Sequence, residues 1–159
     1  MFVARFRTVD VSAELRFEAW HEMTSKALIS TAVTRENGEE FAAAVSVFDL
    51  GLVQISTVAY PALRAARTAR LIRRSDPEVY YVAMPLRGRL GVSHVDREAD
   101  VDSGHFVVID TSRPGVVVNR ESVEHLIIAV PRSELPKSWA LSAVVARPFL
   151  SARASAHSC

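Results

Sequence analysis

The run "VYYVAMPLRGRLGVSHVDREADVDSGHFVVIDTSRPGVVVN", residues 79–119, decides the fold. Short stretches rich in Val, Ile, Tyr and Phe alternate with Gly, Pro, Asp and Ser, the texture of strands and turns. In its first segment Tyr80, Val82, Met84 and Leu86 share one face and Tyr81, Ala83 and Pro85 the other, because successive strand side chains point to opposite sides. Both faces are largely apolar, so this strand is expected to be covered on both sides or to line a pocket. Pro85 cannot donate to a ladder and marks an edge or a bulge. "SDP" at 75–77 and "RGRLG" at 87–91 are turns: Pro77 fixes φ, and Gly88 or Gly91 can take positive φ.

The same texture extends outward through "AAAVSVFDL" (42–50), "LVQISTVAY" (52–60) and "EHLIIAVP" (124–131), which predicts an antiparallel sandwich or barrel. Before it, "VSAELRFEAWHEMTSKALIS" repeats Leu15, Ala19, Met23 and Ala27 at four-residue spacing, with Phe17, Trp20 and Leu28 widening the stripe, and predicts an amphipathic helix. Ser12 is placed to cap it and Glu14 to sit in its first turn. After the sheet, "KSWALSAVVA" (137–146) predicts a short helical segment that Pro148 interrupts. The expected organisation is one domain over residues 1–150 and a flexible tail at 151–159.

The 159 residues suffice for a single domain with a real core, and 49% hydrophobic against 23% charged residues is globular composition. A formal charge of +1 argues against nucleic-acid binding by this segment alone. The single cysteine, Cys159, points to a reducing compartment, and no apolar run suits a signal peptide or a membrane span, so a cytoplasmic protein is expected.

Residues that could carry chemistry do not group along the chain. His94, His105 and His125 fall on three predicted strands but lack the close pairing with a glutamate that metal-binding barrels use, so they read as edge or surface histidines and no metal is expected. "HEMTS" at 21–25 has Ser25 where a zinc ligand must stand, "GVSHV" at 91–95 lacks the closing glycine of a nucleophile elbow, and Cys159 has nothing beside it to activate its thiol. No catalytic residue and no cofactor is expected. Arg64, Arg67, Arg70 and Arg73 recur every third residue, as on one face of a helix that could hold an anion, or along a solvated loop or edge strand. Trp20, Tyr60, Tyr80, Tyr81 and Met84 could line an apolar cavity or simply pack the core. Arg113, at the corner "DTSRP", could pair with Asp110 or reach a ligand carboxylate with its fork of donors.

In order, "RFEAWHEM", "LIRRSDPEVYYVAMPLRGRLGVSH", "GHFVVIDTSRP" and "LIIAVPRSELP" resemble the N-terminal effector-sensing domain of AraC-family transcription regulators, the AraC-binding-like type, over residues 12–150. Trp20 matches the family's helix tryptophan, Gly88 and Gly104 its turn glycines, and Arg113 with Pro114 its corner. The chain departs from the pattern at Ser103, Gly104 and His105, where a Pro-Gly-Asp turn is usual, and at Gly115, where an aromatic is common. His105 then falls at a structural turn.

The resemblance implies a mainly β, cupin-like jelly-roll barrel with an N-terminal helix, binding a small-molecule effector inside and dimerising through flanking helices. Such regulators read DNA through helix-turn-helix units, which are not expected in this chain. The ligand-binding set expected from residues and resemblance together is Trp20, Tyr80, Tyr81, Met84, Arg113 and His125. The rival expectations are a stand-alone cupin-like enzyme, such as a metal-dependent dioxygenase or isomerase, and a truncated interaction module.

Overall fold

A computed structural model describes residues 2–35, 40–136 and 147–148. The predicted C-terminal helix at 137–146 and the tail at 151–159 lie outside the described residues.

The chain begins with strand β1 (Phe2–Arg7) and, after short 3-10 turns, helix α1 (Arg16–Ala27). Strands β2 (Ala32–Thr34), β3 (Ala44–Asp49), β4 (Gln54–Tyr60) and β5 (Leu63–Arg67) lead to a short helix α2 (Ala69–Arg74). Then come β6 (Val79–Arg87), β7 (Leu90–His94), β8 (Arg97–Val101), β9 (His105–Asp110), β10 (Gly115–Asn119), β11 (Val123–Pro131) and β12 (Arg147–Pro148). Helix α1 starts later than its capping signal predicts. Ser12 precedes a 3-10 turn at Ala13–Leu15 and makes no side-chain cap bond.

The described strands form two antiparallel sheets, ordered β1-β3-β4-β11-β6-β9-β12 and β2-β5-β10-β7-β8. The ribbon of β4 and β5 lies against the ribbon of β11 and β10 and passes from the first sheet to the second, the winding of a jelly roll. The fold is thus mainly β and cupin-like, with a helix at the N-terminal side.

Pro85 explains itself in this arrangement. β6 is interior, between β11 and β9, but the β9 ladder covers only Tyr80–Ala83, so Pro85 lies past its end. On the other side the register with β11 slips by one between Glu124↔Arg87 and His125↔Pro85. The expected bulge is there, and the expected edge is not.

The core sits between the sheets. Val45, Val47, Val58, Leu63, Tyr81, Ala83, Leu90, Val92, Val107 and Ile127 are buried in one cluster with Trp20 of α1 and Phe41. Alternation decides membership: Tyr81 and Ala83 belong to this cluster, while Tyr80 and Met84 are also buried but face the other side of β6. Helix α1 closes the hollow with Trp20 and Thr24, while Leu15, at the start of the predicted stripe, is exposed.

Candidate functional site

Between the sheets lies a cavity of about 130 Å³. Its walls follow from strand alternation. In the second sheet Leu63, Ala65 and Arg67 of β5 face it, with Leu90, Val92 and His94 of β7 and Gly115 and Val117 of β10. Gly115 is paired with Arg67 on one side and His94 on the other, so these three form one row across the sheet. In the first sheet Tyr81, Ala83, Ile109, Val58, Ile127 and His125 face it, and α1 contributes Trp20 and Thr24.

The two ends differ in chemistry. At one end Tyr60 Oη lies 2.9 Å from His125 Nε2, with the rings edge to face and the Trp20 ring 5.6 Å from the Tyr60 ring. His125 is buried, and its Nδ1 and Trp20 Nε1 have no hydrogen-bond partner among the described residues. Burial lowers the His125 pKa to about 4, so the imidazole is neutral near pH 7, and burial raises that of Tyr60.

At the other end stands Arg67, only 6% exposed. Its Nε donates to Thr111 O at 3.1 Å, one terminal nitrogen to Ser30 O at 2.9 Å and Ser30 Oγ at 3.0 Å, and the other to Ser75 O at 2.6 Å. One side chain therefore ties the loop after α1, the end of α2 and the corner after β9 to the cavity wall. His94 is buried beside it, with Nδ1 3.0 Å from Pro114 O. A carbonyl only accepts, so Nδ1 carries the proton and, in the neutral ring that burial favours, Nε2 is an acceptor; it has no partner. Arg113 completes this end. Its Nε lies 3.6 Å from the fully buried Asp110, which also faces Arg132 at 3.4 Å and accepts from Ser112 N at 3.0 Å.

Of the residues expected to bind a ligand, Trp20, Tyr81, Arg113 and His125 line the cavity. Tyr80 and Met84 do not: they lie on the opposite face of β6, where the Arg132 guanidinium stands 5.8 Å from the Tyr80 ring. Arg113 both lines the cavity and faces Asp110, so its two readings are compatible. His94 and His125 are buried, which corrects the surface reading for both: they end or occupy inward-facing positions of β7 and β11. His105 is partly exposed and its Nδ1 lies 2.7 Å from Asp102 Oδ1, within the turn that enters β9. The described residues contain no group of three His, Cys, Asp or Glu side chains placed to hold a metal.

The arginine repeat does not form a helix face. Arg64 and Arg67 belong to β5 and Arg70 and Arg73 to α2, whose first turn is capped by Thr68 Oγ1 accepting from Leu71 N at 3.2 Å. Arg67 and His94 were missing from the expected site, although the alternations Leu63, Ala65, Arg67 and Leu90, Val92, His94 carry the signal that places both inside.

A family profile described as the AraC-binding-like domain matches residues 20–157. An uncharacterized protein in the nit 5′ region of Bacillus sp. (strain OxB-1) is 24% identical over 128 residues, 80% of this chain and 50% of that protein. Among solved structures, the AraC-like transcriptional activator CuxR superposes with a TM-score of 0.76 at 17% identity, covering 88% of this chain and 51% of that one. The chain spans about half the length of these relatives. Among the described residues no helix is long and apolar enough to cross a membrane.

Proposed function

We propose, on the premise that this chain belongs to the AraC-binding-like domain family, that it is the effector-sensing unit of a cytoplasmic transcription regulator and performs no catalysis. The observation that carries this reading is the apolar cavity between the sheets, closed by α1. Small-molecule sites combine mostly apolar walls with a few placed polar groups, and this cavity has both.

An effector acts by binding two arrangements of the domain unequally. Trp20 and Thr24 of α1 touch the cavity, and Arg67 in its wall holds the loop after α1, so occupancy changes what the helix packs on. Dimerisation through the flanking helices is the proposed output, and DNA reading is assigned to a part of such regulators that this domain does not supply.

Thermal unfolding with panels of sugars, amines, small carboxylic acids and neutral aromatics tests the reading. A ligand at about a hundredfold excess over its Kd adds about 2.7 kcal/mol, a rise of about 5–10 °C for a domain of this size. Sedimentation with and without that ligand then reads the dimer. No shift from any class would overturn the proposal.

A further inference from the structure

The charged side chains lining the cavity are two arginines, with no aspartate or glutamate beside them in the wall. Arg67 is committed to protein oxygens, as described. Arg113 is not. Its Nε lies 3.6 Å from Asp110, the side chain is 48% exposed, and its terminal nitrogens make no hydrogen bond among the described residues.

Asp110 cannot neutralise this end, because its carboxylate is shared between Arg113 and Arg132. The other nearby carboxylate, Asp76, is exposed and accepts from Ser112 Oγ at 2.8 Å and Glu78 N at 2.9 Å. Asp96 and Glu98 with Arg97 line the adjoining groove, so what favours an anion here is the open fork of Arg113 and not an excess of charge. Gly115 places no side chain between Arg67 and His94, and a surface groove shares Ser93, His94 and Gly115 with the cavity, which sets this end next to solvent. Inward from it the walls are Tyr81, Ile109, Ala83 and Val117.

We infer that the effector is a small carboxylate with a compact apolar body, its head group held by the free fork of Arg113 and its body inside the cavity. This rests on the effector-sensing reading. An arginine fork matches the two oxygens of a carboxylate, and a space of about 130 Å³ suits a body on the scale of one six-membered ring. The rival is an ammonium, which the acceptor Nε2 of His94 would favour.

Calorimetric titration of the full chain with cyclohexanecarboxylate, cyclohexylmethanol and cyclohexylmethylamine compares three head groups on one body. The carboxylate is expected to bind on the order of tenfold tighter than the alcohol, with a margin that shrinks as salt rises. In Arg113→Gln the carboxylate should fall to the affinity of the alcohol while the alcohol is unchanged, the circular dichroism spectrum confirming the fold. An alcohol or amine that binds as well as the carboxylate overturns the inference and leaves effector sensing standing, as does an Arg113→Gln variant that keeps the preference. Failure of all three to bind overturns the inference, and the thermal-unfolding panels then decide effector sensing on their own.

Discussion

Replacing Arg67 by methionine is expected to destabilise the domain by about 3 kcal/mol, although the substitution keeps an apolar stem in an apolar wall. Arg67 donates four hydrogen bonds. Three go to Ser30 and Ser75, which water can reach once the guanidinium is gone, so each is worth about 1 kcal/mol net. The fourth goes to the carbonyl of Thr111, a buried residue, and orphaning that oxygen adds about 1–3 kcal/mol. Removing a buried charge returns part of the sum. Urea unfolding measures the difference, and a fall in Tm of about 6–12 °C should accompany it. Lysine should rescue little, because one ammonium on a flexible stem cannot reach three loops in different directions. An Arg67→Lys variant within about 0.5 kcal/mol of the parent would refute the view that the fork geometry holds these loops to the cavity.

Since burial lowers the pKa of His125 from 6.5 to about 4, the unfolded chain takes up a proton first as pH falls. Stability should therefore be full above about pH 6.5 and decline towards pH 4, by up to about 3 kcal/mol from this residue, with His94 acting in the same direction. Unfolding of His125→Gln across that range should show a shallower acid limb, and an unchanged slope would count against it. At Gly88 (φ 80°) an added Cβ would stand 2.6 Å from the backbone oxygen of Ser122, whereas at Gly51 (φ 91°) it meets nothing within 4 Å. Gly88→Ala should cost about 3 kcal/mol or more and Gly51→Ala about 1 kcal/mol in chemical denaturation; equal costs would show that the contact relaxes freely. Ala83→Leu should fill the cavity and abolish ligand-induced thermal shifts while changing stability by less than about 2 kcal/mol.

How much of this was legible in the sequence depends on which property each residue is read by. The runs read as strands all appear, as β3, β4, β6, β7, β9, β10 and β11, because each pairs a β-branched or aromatic run with a turn residue at its end. Strand β8 escaped notice because "READV" has charged side chains on its outward positions and its hairpin turns through Val95 and Asp96, at φ 47° and 59°, instead of through the Asn-Gly that usually marks such a loop. The site was read less fully for a related reason. Both faces of "VYYVAMPL" are apolar, so alternation alone says that Tyr80 and Tyr81 part company but not which of them turns inward; that choice belongs to β9 and β11, which pair on either side. Arg67 shows the opposite failure. Its spacing to other arginines suggested a helix face or a solvated loop or edge strand, yet the spacing that mattered was to Leu63 and Ala65, two apolar neighbours that carry a guanidinium into the interior because the strand runs on for one more pair of residues before Thr68 opens the next helix. Charge patterns along a chain report on the surface only while the backbone under them keeps one conformation, and here it changes between Arg67 and Arg70.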